Sequence, residues 1–336
     1  SVVIWTTTPW TLPANLAIAV SPKHTYSAQN FTKDGETRTL VLAADRAASF
    51  SAETGWMPQG EGQTFSGAAL EGTITRHPFL DRPAPVLTAD FVTMDTGTGC
   101  VHIAPGHGAD DFQLGKARGL DILCPVDDLG LFTEECGVTA WVGKPVFAAN
   151  PLVVEYVKSK GALLGVTSYQ HSYPHCWRSK TPIIFRTVEQ FFIRIEALRA
   201  DALKAIKATK WIPDWGLKRI TGTVESRPDW CISRQRSWGV PLPVFYTPDG
   251  EPLLDANLVR RVSDLVEKRG TNAWFEMSDA ELAAMFGLPA GTTKGHDTID
   301  VWIDSGVSHQ AVLRHRPELA YPADLYLEAT DQHRGW

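Results

Sequence analysis

The chain has 336 residues, 43% of them hydrophobic and 21% charged, with a formal net charge of −6 at pH 7. That balance suits a folded globular protein with room for two cores and excludes a disordered chain. No apolar run approaches the roughly 20 residues that span a bilayer. The five cysteines, at 100, 124, 136, 176 and 231, are too scattered for a disulfide framework, so reduced thiols in the cytoplasm are expected.

In chain order, the first half is expected to be β-rich with a few short helices, because Pro and Gly recur between short apolar runs. The opening run Ser1-Val2-Val3-Ile4-Trp5 reads as a strand, with no basic leader of a signal peptide. It also lacks a Met, so an excised piece of something longer is expected. Residues 39–43 read as a further strand, with Asp34-Gly35 as the turn signal before it. The character changes near Tyr169. Leu198, Ala202, Ala205 and Ile206 recur at helical spacing, and Pro213 is expected to end that helix. Asp255 is an N-cap for a second helix with Leu258, Val262, Leu265 and Val266 on one face and Gly270 as its stop. Ser278-Asp279-Ala280-Glu281 is a capping box for a third. Strands are expected at residues 240–246, 299–303 and 324–328, which suggests part of an α/β sheet.

Charge is uneven: residues 194–236 hold ten Lys or Arg against five Asp or Glu. That strip is either a solvated helix face or a surface for phosphates.

Two runs concentrate residues with chemistry. Residues 97–112 hold several glycines, His102, His107, Asp110 and Asp111, and residues 5–15 read Trp5-Thr6-Thr7-Thr8-Pro9-Trp10-Thr11-Leu12-Pro13-Ala14-Asn15. Glycines let a backbone approach a ligand closely, and His and Asp fix a ligand's orientation. A metallohydrolase would use His102, His107 and Asp111, but the two histidines are five apart with Gly and Pro between them, unlike the helical H-E-x-x-H spacing. Tyr173-Pro174-His175-Cys176-Trp177-Arg178-Ser179 is half a zinc knuckle with Ser179 where a second Cys would stand, so zinc is not expected. Cys100 and His102 share a face of any strand through them, which fits a Cys–His pair and equally fits simple packing. The remaining reading is a polar pocket without metal or protein nucleophile. Asp111 would hold an ammonium group, and threonine hydroxyls would position water or a ribose. Such a pocket hydrolyses an activated ester by binding and orientation.

These runs carry a resemblance. Together with Asp229-Trp230-Cys231-Ile232-Ser233-Arg234-Gln235-Arg236-Ser237-Trp238-Gly239, Asp300-Val301-Trp302-Ile303-Asp304-Ser305-Gly306 and Glu328-Ala329-Thr330-Asp331-Gln332-His333-Arg334-Gly335-Trp336, they resemble the bacterial-type isoleucyl-tRNA synthetases of class I. Five motifs stand in that family's order over nearly the whole chain. Relatives for valine and leucine carry Thr-Thr-Arg-Pro in the threonine run and end the last motif differently. The resemblance implies a β-rich, barrel-like editing domain over residues 1–168, followed over residues 169–336 by part of a Rossmann-like catalytic domain. It implies that Asp111 anchors the α-amino group of a mischarged valine and that His102 excludes isoleucine. Thr6, Thr7, Thr8, Thr11, Trp5 and Asn15 would hold the terminal adenosine, the ester and the water, with the ribose hydroxyl helping to position that water. Trp302, Trp336 and Gln332 would line the isoleucine pocket of the synthetic site, and Glu328 and Asp331 would contact the adenylate. Ala329 stands where the family pattern has Gly. The partners implied are tRNA(Ile), isoleucine and valine, with no membrane, for a monomer. ATP and Mg²⁺ would serve the parent enzyme and no cofactor would serve editing. Neither H-I-G-H nor K-M-S-K-S occurs in the row, so the chain is not expected to make the adenylate alone. The rival without catalysis is a tRNA-binding module gripping the acceptor stem with the basic strip.

Overall fold

Four buried residues in a row, Ala17–Val20 (β1), form the strand around which the first half of the chain is built. A strand covered on both faces reads as continuous rather than alternating apolar sequence. The hairpin that follows, Thr25–Lys33 (β2) and Glu36–Ala43 (β3), turns at Asp34 (φ 50°) and Gly35 (φ 80°). Positive φ at both turn positions matches the right-handed twist of the flanking strands, and Asp-Gly tolerates it best. After Ala47–Thr54 (α1), Met57–Ser66 (β4) joins the other edge of β2, giving a three-stranded antiparallel sheet in the order β3-β2-β4. Ile74–Arg76 (β5), Pro83–Thr88 (β6) and Cys100–Ile103 (β7) complete a second sheet in the order β5-β6-β1-β7. There β1 runs parallel to β6 and antiparallel to β7.

This is a computed structural model that describes residues 1–333. The chain divides into two compact units, Ser1–Val188 and the residues from Glu189 onward. Residues 169–188, expected in the second domain, group with the first unit. That unit also holds Ala109–Arg118 (α2) and Val146–Ser159 (α3).

The architecture is mixed α/β. Among the described residues the sheets of the first unit are open, of four and three strands, and do not close into the expected barrel. Residues 1–5 are not a strand either. They lie beside β3 through a single bridge, Val2 to Val41, because the threonines and Pro9 that follow turn the chain away. The core between the sheets gathers Ile18, Val20, Tyr26, Val86 and Cys100. The fully buried Tyr26 hydroxyl donates to Gly99 O (2.6 Å) and accepts from Ser21 N–H (2.9 Å), so its burial leaves no polar atom unmatched. Another cluster, with Trp10, Leu12, Phe132, Trp141 and Val153, fixes the 3-10 helix Pro9–Ala14 against α3.

In the second unit the helices are Glu196–Ala208 (α4), Trp215–Glu225 (α5), Ala256–Arg269 (α6), Asn272–Glu276 (α7), Asp279–Phe286 (α8) and Trp302–Gly306 (α9). The caps are as expected: Asp255 accepts from Asn257 N–H (2.7 Å), and Ser278 with Glu281 closes a capping box. Leu258, Val262 and Leu265 are buried, whereas α4 buries none of its residues and Leu198 is 55% exposed.

The strand expectations need correction. Phe245–Tyr246 pairs with Pro252–Leu253 and Thr293–Lys294, and only these two residues of 240–246 are strand, since Pro241 and Pro243 lack the N–H a ladder needs. Residues 299–303 leave the strand at Ile299 because the Asp300 carboxylate accepts Trp302 N–H (3.2 Å) and turns the chain into α9. Residues 324–328 form no strand. All described strands of this unit pair antiparallel in sheets of two or three, so the parallel sheet of a Rossmann-like half is not among the described residues.

Candidate functional site

The threonine run is positioned by its own turn. Pro9 starts the 3-10 helix Pro9–Ala14 where a missing N–H costs nothing. Thr8 N–H donates to Thr6 Oγ1 (2.9 Å), and Thr11 Oγ1 donates to Thr8 O (2.8 Å). Trp10 N–H donates to Asn150 Oδ1 of α3 (3.0 Å), tying this turn to the core.

His102 sits in β7 opposite Ile18 of β1. Its two ring nitrogens are both engaged: Nε2 lies 2.9 Å from Thr11 Oγ1, and Nδ1 lies 3.3 Å from Asn15 Nδ2. An amide nitrogen only donates, so Nδ1 is the acceptor and Nε2 carries the hydrogen. The relay then runs from Nε2–H to Thr11 and from Thr11 to Thr8 O, while the other Asn15 N–H goes to Ala17 O (2.9 Å). Part of the ring's surface opens to the site, but protein surrounds it closely. Burial, with His107 and His77 nearby, lowers its pKa to about 4, so it is neutral at pH 7. A ring held at both nitrogens is a rigid wall. It has no lone pair left for a metal, which removes the first ligand of the metallohydrolase reading. Among the described residues no three His, Cys, Asp or Glu side chains come together as a metal-holding group.

Asp111 stands in the first turn of α2, where the helix N-terminus favours an anion. Its Oδ2 accepts from Ala104 N–H (2.9 Å). Burial raises its pKa above 3.8, against the pull of that hydrogen bond, and Asp110 raises it further. Asp110 itself is exposed. The glycines of this run serve the protein rather than a ligand: a Cβ at Gly106 would stand 2.2 Å from Leu123 O. Cys100 is 1% exposed and packs in the core, with its thiol pushed up to about 12 by burial, so it is no nucleophile at neutral pH.

These elements enclose a cavity of about 350 Å³ that brings together Thr6, Thr8, Thr11, His102 and Asp111. A larger cavity of about 830 Å³ shares Thr6 and His102 with it and is lined by Trp5, Thr7 and Asn15. Sequence reasoning missed the far wall of the smaller cavity, which comes from His171, Tyr173 and Phe185. The alternation of aromatic and imidazole rings over residues 169–177 was the available signal. His107 is also on this wall. Its Nδ1 donates to Phe185 O (3.0 Å), its ring meets Trp10 edge to face at 4.8 Å, and its Nε2 is buried without a partner among the described residues. Burial lowers its pKa as well.

In the second unit, Trp302 opens α9 and Glu328 Oε1 accepts from Ser305 Oγ (3.2 Å) of the same helix. Asp331 and Gln332 lie in the 3-10 turn Thr330–His333, which packs by α5, and Gln332 Oε1 is buried without a partner among the described residues. Trp336 lies outside the described residues. Two motifs meet at Asp300: its buried Oδ2 accepts from Arg234 Nη2 (2.6 Å) and Trp230 Nε1 (2.9 Å). The basic strip is partly structural. Arg199 donates to Glu225 O (2.8 Å) and Arg227 O (2.9 Å) at the end of α5, where the last carbonyls need donors.

Over residues 3–336 the sequence matches the profile of the tRNA synthetases class I (I, L, M and V). The chain belongs to this class I synthetase family. It is 51% identical over 340 residues to the isoleucine–tRNA ligase of Methylacidiphilum infernorum, and 47% identical over 339 residues to that of Bacillus cereus strain AH187. Those alignments cover 100% and 99% of this chain and 36% of each relative, so the chain spans about a third of the length of these class I synthetases. Among solved structures, GlLeuRS-CP1 gives a TM-score of 0.40 at 14% identity over 50% of this chain and 84% of that one. The P. knowlesi cytosolic leucyl-tRNA synthetase editing domain gives 0.38 at 13% identity over 47% and 81%. No helix among the described residues is long and apolar enough to cross a membrane.

Proposed function

We propose that this chain carries the proofreading site of an isoleucine–tRNA ligase and hydrolyses valyl-tRNA(Ile). The observation that carries the reading is one cavity holding a half-buried carboxylate, a neutral imidazole fixed at both nitrogens and three threonines. Its volume of about 350 Å³ lies at the small end of the range of ligand pockets and is ample for an aminoacyl group. Asp111 holds the α-ammonium through a charge-assisted hydrogen bond, since Ala104 N–H uses only one of its lone pairs. His102 limits side-chain size. Thr6, Thr7, Thr8 and Thr11 orient the ester and the water, and Trp5 and Asn15 border the larger cavity on the nucleoside side. Water adds to the ester carbonyl carbon and the bond to the ribose oxygen breaks; one of the water's protons goes to that oxygen and the other is released to solvent. The amino acid leaves as a carboxylate. No step uses a metal.

The need for such a site is physical. One methylene is worth only about 1–3 kcal/mol in an apolar pocket, and isoleucine against valine is the standing example of that limit. The parent would join isoleucine to tRNA(Ile) with ATP and Mg²⁺. Trp302, Trp336 and Gln332 would line its amino acid pocket and Glu328 and Asp331 would meet the adenylate. The buried Gln332 Oε1, without a partner among the described residues, supports this as an acceptor that a ligand amine would satisfy. The parent would work in the cytoplasm as a monomer.

The test is deacylation of valyl-tRNA(Ile) by the purified chain. Hydrolysis that persists with a chelator and falls at least a hundredfold in Asp111→Ala is expected. Hydrolysis abolished by chelator, or unchanged in Asp111→Ala, contradicts the reading.

A further inference from the structure

Among the described residues three imidazoles line the cavity of Asp111, and each uses its ring nitrogens differently. His102 spends both, on Asn15 and Thr11. His171 donates from Nδ1 to Ser172 O (2.9 Å) and is exposed, so water meets its ring freely. His107 also donates from Nδ1, to Phe185 O (3.0 Å), so Nε2 of the neutral ring holds the lone pair. This Nε2 is buried and has no partner among the described residues. The ring is held in place by the Phe185 bond, by its own backbone N–H on Ala104 O (2.8 Å) and by the Trp10 ring at 4.8 Å.

Trp10 has the complementary gap. Its Nε1–H can only donate, and it too is buried without a partner among the described residues. Trp10 lines the same cavity, and its backbone N–H is tied to Asn150. Buried polar groups are nearly always matched, so each exception asks for a reason. An orphaned donor and an orphaned acceptor on touching rings are matched together by one water, which accepts from Trp10 Nε1 and donates to His107 Nε2. Two hydrogen bonds through a water span roughly 5–6 Å, in keeping with ring centroids 4.8 Å apart.

We infer that His107 is the general base of ester hydrolysis in this cavity, acting on a water held between its Nε2 and Trp10 Nε1. This rests on the proofreading reading for the ester. The water oxygen adds to the ester carbonyl carbon while Nε2 takes one of its protons. The imidazolium keeps its Nδ1–H on Phe185 O. The tetrahedral intermediate then expels the ribose oxygen, Nε2 returns the proton to it, and the new carboxyl group loses the water's second proton to solvent. Burial, with the Arg186 charge nearby, lowers the His107 pKa against the pull of the Phe185 bond. The ring is therefore a neutral base at pH 7, and its imidazolium gives the proton up readily. Asp111 is the poorer base, because its charge is matched by the α-ammonium.

The test is steady-state deacylation of valyl-tRNA(Ile) by the 336-residue chain, with folding of each variant checked by far-ultraviolet circular dichroism. In His107→Ala kcat is expected to fall about a hundredfold, as for loss of a general base, with KM within about threefold. His107→Gln keeps an acceptor for the water but cannot take its proton at neutral pH, so it is expected to be as slow. Trp10→Phe keeps a ring and removes the N–H, and is expected to lower kcat about fivefold, as for loss of one hydrogen bond. A folded His107→Ala or His107→Gln chain with unchanged kcat overturns the base, and unchanged kcat in Trp10→Phe overturns the placing of the water. In each of these cases hydrolysis by the unsubstituted chain leaves the proofreading reading standing. An unsubstituted chain that hydrolyses no valyl ester sinks that reading, and the base with it.

Discussion

In the proposed function His102 and Asp111 divide the work of the site through opposite local chemistry. The imidazole gives its hydrogen to Thr11 and takes one from Asn15, so it has no proton to trade and stands as a shape. The carboxylate keeps lone pairs in a half-buried place that disfavours its charge, and under the proposed function it would gain most from an arriving ammonium. The rate of valyl-tRNA deacylation is therefore expected to fall in acid with a midpoint above 3.8, as Asp111 takes up a proton. A pH–rate profile that stays flat down to that value contradicts an anionic anchor. Residue types and spacing were enough to pair the two runs in the sequence. The tautomer of His102 was not legible there, because it depends on Asn15, which is 87 positions away.

At the scale of elements, the site depends on how β7 passes into α2. The turn between them packs Gly106 against the backbone at Leu123, and Asp111 follows five residues later. Gly106→Ala must displace one of these backbones. It is expected to cost about 2–4 kcal/mol by thermal or denaturant unfolding and to lower deacylation with it. Ser278→Ala removes half of a capping box in the other unit. It is expected to cost about 1 kcal/mol and leave deacylation unchanged. Equal effects of the two on activity contradict the placing of the site in the first unit alone. Caps and the Asp-Gly turn were legible because they are local. The strands expected at 299–303 and 324–328 were not, since Asp300 turns the first into a helix and a strand also needs a partner that no local pattern supplies.

For the whole molecule, buried neutral histidines set the response to acid. His77 donates from Nε2 to Leu12 O (2.8 Å) and accepts from Leu80 N–H (3.1 Å) at Nδ1, and burial lowers its pKa to about 4, as for His102. In the unfolded chain both titrate near 6.5. Between those values the unfolded chain takes up protons that the folded chain refuses, so stability is full above pH 6.5 and falls as pH drops toward 4. The loss is on the order of 3 kcal/mol for each ring. Asp111, with its raised pKa, acts with the opposite sign at the acid end. Urea unfolding midpoints that do not change between pH 7 and pH 4.5 contradict this account.

The size gate is the centre of the reading, and one pair of rates tests it. Deacylation of valyl-tRNA(Ile) and isoleucyl-tRNA(Ile) is measured side by side for the parent sequence and for His102→Ala. The parent sequence is expected to hydrolyse the valyl ester and spare the isoleucyl ester. His102→Ala is expected to raise isoleucyl hydrolysis by at least tenfold while Asp111 still anchors both. Isoleucyl-tRNA left untouched by a folded His102→Ala chain contradicts the account.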